Sequence, residues 1–179
     1  LGFGPEHVAA LVDGHLPVKD DFFVENVDGV PVDFRPLLHQ VISSELDCDR
    51  LDYLRRDSFY SGVSYGNIDA DWLISNLSFY VKEGRAHLAL KHRALYAFDD
   101  FLLSRFNMFL MVYFHYKAVV YDEMLVRYFH SKDAEYKLPS SLEDYLSCHD
   151  GQLFESIRAS SNEWARRIVE KRPYKMLIE

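Results

Sequence analysis

The sequence has little cysteine and no excess of basic residues. Its 179 residues include only two cysteines, Cys48 and Cys148, which lie far apart and outside any CxxC pair. A disulfide framework or a zinc knuckle is therefore not expected, and a reducing cytoplasm is the default location. The formal net charge of −8 argues against general nucleic-acid binding, because neutralising many phosphates requires a dominant basic surface.

Long hydrophobic runs are also missing. The most apolar stretch, Phe106 to Tyr121, is interrupted by His115 and Lys117, so it predicts a buried helix rather than a membrane span. Internal repeats and low-complexity tracts are absent from the sequence. The hydrophobic content of 49%, with 13 Phe and 12 Tyr, is instead typical of a folded domain with a substantial core.

The spacing of apolar residues predicts a mainly α-helical protein with one small β-hairpin. Helices are predicted for Pro5 to Leu16, Val32 to Leu46, Asp47 to Tyr60, Asp69 to Ser75, His92 to His130, Ser141 to Ser147, Gly151 to Ala159 and Asn162 to Lys171. Asp20 to Val32 is predicted to be a polar connector, and Leu77 to Leu90 to be the single hairpin. The pattern that starts at His92 is long for one helix, so a break is expected near Ser104 or Tyr121.

The densest polar cluster lies between Ser43 and Ser58. At about 100° per residue, a helix places five side chains on one face, namely Asp49, Arg50, Tyr53, Arg56 and Asp57. Leu51, Leu54 and Ser58 fall on the opposite face, which is predicted to be buried. Carboxylates bind hard cations and arginine binds phosphate through paired hydrogen bonds, so the polar face could hold both. A solvated face with surface salt bridges is the ordinary alternative.

The segment Ser43 to Gly62, SSELDCDRLDYLRRDSFYSG, resembles the last conserved block of HD-domain phosphohydrolases. The resemblance is closest to deoxynucleotide triphosphohydrolase-like proteins, whose block has an Asp-x-Asp-Lys/Arg-x-Asp-Tyr-x-x-Arg-Asp core before a Gly-containing turn. It implies an HD-domain-like helical bundle, with Asp49 as the final metal ligand and Arg50 in contact with nucleotide phosphates. It also implies that Tyr53 and Asp57 face the sugar.

A weaker resemblance continues in the predicted helix that follows the hairpin. Residues 104–107 (SRFN) and 112–115 (VYFH) resemble the family helix that carries an Arg for phosphate and a Tyr-x-His for the sugar and base. Under this resemblance Arg105 binds phosphate, while Tyr113 and His115 contact the sugar and base. An interhelical ion pair for Arg105 and ordinary core packing for the other two residues remain open alternatives.

The family's upstream metal ligands, a His and then a His-Asp pair, have no counterpart before the block. The one His-Asp pair, His149-Asp150, follows the block and is predicted to be a loop or helix cap. A divalent metal (Mn, Fe, Mg, Ni or Zn) is therefore expected only with ligands from outside this chain. The chain begins at Leu rather than Met, which favours a fragment of a longer enzyme over a degenerate homologue.

The resemblance implies a metal-dependent phosphohydrolase that acts on nucleotides and is inactive as the isolated chain. Residues 1–130 would form the C-terminal part of an HD-type domain, and residues 131–179 a helical extension packed on it. A nucleotide substrate, a possible homo-oligomer and no membrane partner are expected. A non-catalytic nucleotide-binding or scaffolding module derived from an HD enzyme is the alternative, and a plain helical interaction protein is a third possibility.

Overall fold

The computed structural model describes residues 2–18 and 21–175 and is mostly helical, with one small sheet. The chain separates into two compact units, residues 1–112 and residues 113–179. The first unit contains α1 (Pro5–Val12), β1 (Val24–Val27), β2 (Val30–Asp33), α2 (Arg35–Ile42), α3 (Cys48–Ser61), α4 (Ala70–Ser75), β3 (Leu77–Lys82), β4 (Arg85–Leu90) and α5 (Leu95–Met108). The second unit contains α6 (Tyr116–His130), α7 (Leu142–Leu146), α8 (Asp150–Ala159) and α9 (Glu163–Val169).

The sheet has four strands in the order β1-β2-β4-β3, so the prediction of a single hairpin was wrong. The predicted hairpin is β3–β4. A second antiparallel hairpin, β1–β2, lies mostly in the stretch predicted to be a connector, and β2 also takes Val32 and Asp33 from the start of the predicted helix Val32 to Leu46. The turn residues of this second hairpin, Asp28 and Gly29, both have positive φ values, 52° and 84°, as a tight two-residue hairpin turn requires. Pro31 lies opposite Asn26 of β1, and the pairing of β2 with β4 is at Asp33, so Pro31 lies outside that pairing. Asp20, where the predicted connector began, lies outside the described residues.

Helices α1 and α2 are joined by side chains that bind the C-terminal carbonyls of α1. The guanidinium of Arg35 donates hydrogen bonds to the carbonyl oxygens of Ala10 (3.2 Å) and Gly14 (2.9 Å). The Nδ1 atom of His39 lies 2.6 Å from the carbonyl oxygen of Leu11. These bonds satisfy carbonyls that have no partner within α1, and they fix α2 immediately before the connector that leads to α3.

The long helical pattern from His92 is divided, but at neither predicted position. Helix α5 ends at Met108, a π-helical segment covers Phe109–Tyr113, and α6 begins at Tyr116. No Pro or Gly occurs in this stretch, so the usual sequence mark of a break is missing. Within the described ranges, no helix combines the length and apolar character needed to cross a membrane.

The second unit is organised around a buried asparagine at the start of α9. The side-chain carbonyl of Asn162 accepts hydrogen bonds from the backbone N–H groups of Trp164 (2.9 Å) and Ala165 (3.3 Å). Its amide nitrogen donates to Ser131 Oγ and Asp133 Oδ1, both at 2.9 Å. This one side chain therefore caps α9 and ties it to the loop that follows α6.

An exposed carboxylate in α9 should make the stability of this unit depend on pH. Hydrogen bonds from Arg167 and Tyr174 hold the pKa of Glu163 below its ordinary value. A lowered folded-state pKa contributes stability above the ordinary pKa, and this contribution is lost as the pH falls through the folded-state value. We therefore expect Glu163→Gln to lower the melting temperature at pH 7, with a difference from wild type that shrinks as the pH falls below the ordinary pKa of a glutamate. A constant difference across that range would contradict the linkage.

Candidate functional site

Helix α3 begins at a buried aspartate that also orders the preceding connector. Asp47 caps the helix by accepting the backbone N–H of Arg50 at 2.8 Å, and its other oxygen accepts the N–H of Ser44 at 3.1 Å. It is only 4% exposed. The first aspartate of the predicted block therefore has a structural role, and it fixes where the following residues of α3 lie.

Two of the three residues predicted to form the inner face of α3 are buried, and the third, Leu51, is half-buried. Leu54 is fully buried and Ser58 is 6% exposed. Asp49 lies on the outer side and is exposed, while Tyr53 and Asp57 are half-buried. The helix thus presents these three predicted site residues away from the core, with the aromatic ring and the second carboxylate partly covered.

Two arginines of α3 are engaged by nearby carboxylates. The guanidinium of Arg50 turns back to the carboxylate of Asp47 and the carbonyl oxygen of Ser44. Arg56 donates two hydrogen bonds to Asp52 Oδ2, at 2.8 and 3.1 Å. The hydrogen bond and charge of Asp52 raise the pKa of Arg56 above its ordinary value. Arg50 is therefore held at the start of the helix.

Arg105 of α5 connects the two segments that resemble HD-family blocks. Its Nη1 atom donates a 2.5 Å hydrogen bond to Glu45 Oε2, in the connector before α3. The pKa of Arg105 is raised, chiefly by this bond, against the opposing effect of burial, and a hydrogen bond to Tyr53 adds to it. The structure thus brings together Arg105 and Tyr53, two residues predicted to contact the substrate.

Tyr113 and His115 belong to the second unit. Tyr113 is half-buried and ends the π-helical segment, and His115 is exposed and caps α6. The Nδ1 atom of His115 accepts the backbone N–H of Lys117 at 3.3 Å, and its ring lies 4.6 Å from that of Tyr116. His115 therefore has a local structural role, and a role in binding remains a prediction for both residues.

Comparison with known proteins places the chain in a family. The family model described as "HD associated region" matches residues 68–179, which is more than half of the chain. The chain belongs to this HD-associated family. Arg105, Tyr113 and His115 lie within the matched region, whereas Asp49 and the other α3 residues precede it.

Relatives of this HD-associated chain are longer proteins. It is 30% identical over 139 residues to an uncharacterized protein of Methanocaldococcus jannaschii, covering 78% of this chain and 30% of the relative. It is 31% identical over 117 residues to the uncharacterized protein YwfO of Bacillus subtilis, covering 63% of this chain and 26% of the relative. The chain therefore spans less than a third of the length of these curated relatives.

Two crystal structures share the fold of the HD-associated chain. A phosphohydrolase from Bacteroides thetaiotaomicron is 25% identical, with a TM-score of 0.67, and the match covers 93% of this chain and 45% of that one. A hypothetical protein from Aquifex aeolicus is 26% identical, with a TM-score of 0.76, over 99% of this chain and 44% of that one. The predicted relation to the HD family is confirmed, and the specificity for deoxynucleotides stays a prediction.

A metal site is not complete within the described part of this HD-associated chain. Residues 2–18 and 21–175 contain no group of three or more His, Cys, Asp or Glu side chains that could hold a metal ion. His149-Asp150 lies at the start of α8, as its N-cap and first residue, in agreement with the prediction of a cap. Because a metal needs several converging ligands, the donors around Asp49 do not by themselves fit one.

A cleft of about 570 Å³ opens on another flank of α3. Its lining includes Arg55, Arg56 and Asn67, and none of the seven predicted site residues contributes to it. The volume lies in the range of small-molecule sites. Sequence periodicity could not indicate this cleft, because it depends on how the loop after α3 folds back against the helix.

The residue that sequence reasoning missed is Glu45. It lies in the polar cluster but fits no position of the resemblance, and its partner Arg105 is 60 residues away in the sequence. No local pattern indicates a contact over that separation. The structure thus adds a carboxylate to the surroundings of the predicted phosphate-binding arginine.

Proposed function

We propose that this chain forms the substrate-facing part of a metal-dependent phosphohydrolase that acts on nucleotides. The observation that carries the proposal is the 2.5 Å hydrogen bond from Arg105 in α5 to Glu45, in the segment that leads into α3. These residues come from the two separate segments that resemble HD-family blocks, and they meet in the folded chain. Membership of the HD-associated family and the structural likeness to a phosphohydrolase support the same function.

In this proposal the arginines neutralise the charge of the substrate. Arg50 and Arg105 would bind phosphate oxygens through charge-assisted hydrogen bonds, which strengthen as negative charge develops. Tyr53 and Asp57 would orient the sugar by hydrogen bonding. For Tyr113 and His115, which belong to the second unit, contact with the sugar and base is proposed from the resemblance alone.

Asp49 is the chain's own contribution to metal binding. An exposed single carboxylate binds a divalent cation weakly, so the remaining ligands must come from residues outside the described ones. We therefore propose that hydrolysis requires the full-length gene product and that the isolated chain binds nucleotides without turning them over. Mn, Fe, Mg, Ni and Zn are the metals to compare.

The test is a hydrolysis screen across nucleotides and divalent metals, with the full-length product and this chain measured side by side. We expect metal-dependent release of phosphate or polyphosphate from the full-length product only. Chelation of the metal with EDTA should stop the reaction, and return of the metal should restore it. Absence of hydrolysis by the full-length product with every metal and nucleotide would contradict the enzymatic proposal.

A non-catalytic nucleotide-binding module is the second candidate. It is favoured by one observation, namely that the described residues hold no cluster of three metal-binding side chains. A His and a later His-Asp pair upstream in the gene product would favour the enzyme, and their absence would favour the binding module. If neither nucleotides nor metals shift the melting temperature, a helical interaction protein is the better description.

A further inference from the structure

The connector between α2 and α3, residues 43–47, supplies acceptors to both arginines proposed to bind phosphate. Glu45 accepts the 2.5 Å hydrogen bond from Arg105. Asp47 and the carbonyl of Ser44 accept hydrogen bonds from the guanidinium of Arg50. Each arginine is therefore already paired with a carboxylate, which is chemically the group that most resembles a phosphate in its hydrogen bonding.

The two carboxylates differ in how firmly they are held. Asp47 is 4% exposed. Besides the guanidinium of Arg50, its carboxylate accepts hydrogen bonds from the backbone N–H groups of Ser44 and Arg50. The side chain of Glu45 is 70% exposed, and within the described residues Arg105 is its only hydrogen-bond partner. Asp47 is therefore a fixed part of the helix cap, whereas Glu45 can rotate into solvent without breaking another bond.

The side chain of Arg105 is held by more contacts than the side chain of Glu45. Its side chain is 25% exposed, it bonds to Tyr53, and its guanidinium lies 5.8 Å from the centre of the Phe109 ring. The attraction between a cation and an aromatic face does not depend on the carboxylate partner, so it favours the same orientation of Arg105 after Glu45 leaves. An incoming anion would thus meet an arginine that is already oriented.

We propose that Glu45 lowers the phosphate affinity of this site, because it occupies Arg105 until an anionic phosphate group displaces it. The inference rests on the proposed function, because it assigns Arg105 to phosphate. A phosphate can take the place of the carboxylate on the guanidinium, whereas a neutral nucleoside offers no charge to replace it. Glu45 thereby lowers the affinity for phosphorylated ligands by the strength of the ion pair that must be broken, and it leaves the affinity for a neutral nucleoside unchanged.

The expected change in phosphate affinity follows from the solvent exposure of the Glu45–Arg105 ion pair. Exposed ion pairs are weak, and breaking one reduces affinity by no more than roughly fivefold. A displaced carboxylate that stays nearby also repels the bound phosphate. We therefore expect removal of the charge of Glu45 to tighten phosphate binding by roughly three- to tenfold.

The experiment compares Glu45→Gln with the unaltered chain, with inorganic triphosphate as the probe and isothermal titration calorimetry as the measurement. Gln keeps the shape and the hydrogen-bonding oxygen but removes the charge. The dissociation constant for triphosphate is expected to fall by roughly three- to tenfold, while binding of an unphosphorylated nucleoside stays the same. Melting temperatures establish that both proteins are folded.

Asp52→Asn is the matched control. It removes one negative charge from an exposed ion pair in the same unit, and the proposed function gives its partner Arg56 no phosphate contact. Its effect on triphosphate affinity should stay within about twofold. An equal gain in triphosphate affinity in Glu45→Gln and Asp52→Asn would show a general effect of net charge and would overturn the specific role of Glu45.

The last step repeats Glu45→Gln in an Arg105→Ala background, where the gain in affinity should disappear. A gain that persists without Arg105 would overturn the inference, as would unchanged or weaker binding by Glu45→Gln alone. If Glu45→Gln alone leaves triphosphate binding unchanged or weakens it, the proposed function still stands provided that Arg105→Ala weakens triphosphate binding. If wild type and Glu45→Gln both fail to bind triphosphate, the proposed phosphate site and the role of Glu45 are rejected together.

Discussion

Asp49→Ala is expected to abolish metal-dependent nucleotide hydrolysis by the full-length gene product, with a fall in turnover of more than about 100-fold. Residues that only orient a metal ligand account for about 10–100-fold, and Asp49 is proposed to be a ligand itself. The substitution should leave the fold intact, because Asp49 is exposed in the first turn of α3. Its loss there costs at most about 1 kcal/mol through the helix dipole.

Asp52→Ala is the control for this prediction. Asp52 is also exposed on α3, and it pairs with Arg56 rather than facing the proposed metal. Turnover of this variant should stay within about twofold of wild type, since surface ion pairs contribute little. Turnover should be measured at several metal concentrations, so that weakened metal binding is separated from a lost reaction. Normal turnover by Asp49→Ala would reject the assignment of this residue.

Gly66→Ala is expected to destabilise the first unit by roughly 2–4 kcal/mol. Gly66 is buried where the loop after α3 returns to the helix, and its N–H donates to Ser58 Oγ at 3.2 Å. An added Cβ would lie 2.7 Å from the Cβ of Ser58 and closer still to the carbonyl oxygen of Leu54. Because that carbonyl belongs to the backbone of α3, it cannot move aside as a flexible side chain could.

The measurement is urea unfolding followed by circular dichroism, with Gly2→Ala as the control. A Cβ at Gly2 would have no atom within 4 Å, so its midpoint should match that of wild type. The Gly66→Ala midpoint should fall well below both. Equal midpoints for the two variants would show that the loop can move away from α3, contrary to the close packing described above.

Local patterns predicted several helices well because the sequence of each helix contains its own start and stop signals. Helix α3 has a capping aspartate at Asp47, buried residues at helical spacing and a left-handed Gly62 at its end. The short helices α4, α7, α8 and α9 also lie within a few residues of their predicted limits. Helix formation depends on neighbours in sequence, which is why these elements could be predicted.

Features that depend on distant residues could not be predicted in this way. The break at Phe109–Tyr113 contains no Pro or Gly, so apolar periodicity continued across it. Strand β2 was not predicted because it contains Pro31, which is uncommon in strands, although the Asp28-Gly29 pair before it favours a hairpin. The pairing of Glu45 with Arg105 joins the connector to α5, and neither residue shows in its own neighbourhood that the other is near.

The resemblance supplied what periodicity could not, namely roles for particular residues. It grouped Asp49, Arg50, Tyr53 and Asp57 with Arg105, and the hydrogen bond from Arg105 to Glu45 joins α5 to the segment that holds the other four residues. It could not indicate that Arg50 would be turned toward Asp47. Side-chain direction depends on which local acceptor is nearest, and a motif does not record that.

The order of strands in the sheet has a consequence for how the first unit assembles. Each hairpin closes over a two-residue turn, so β1–β2 and β3–β4 can form locally and quickly. The parallel contact between them rests on the pairing of Asp33 with Arg85, which lie far apart in the sequence. Closing that long loop is entropically slow. The two hairpins are therefore expected to form independently and to join late, together with the docking of α2 on β4, whose hydrogen bond from Leu88 N–H to Gln40 closes a loop of similar length.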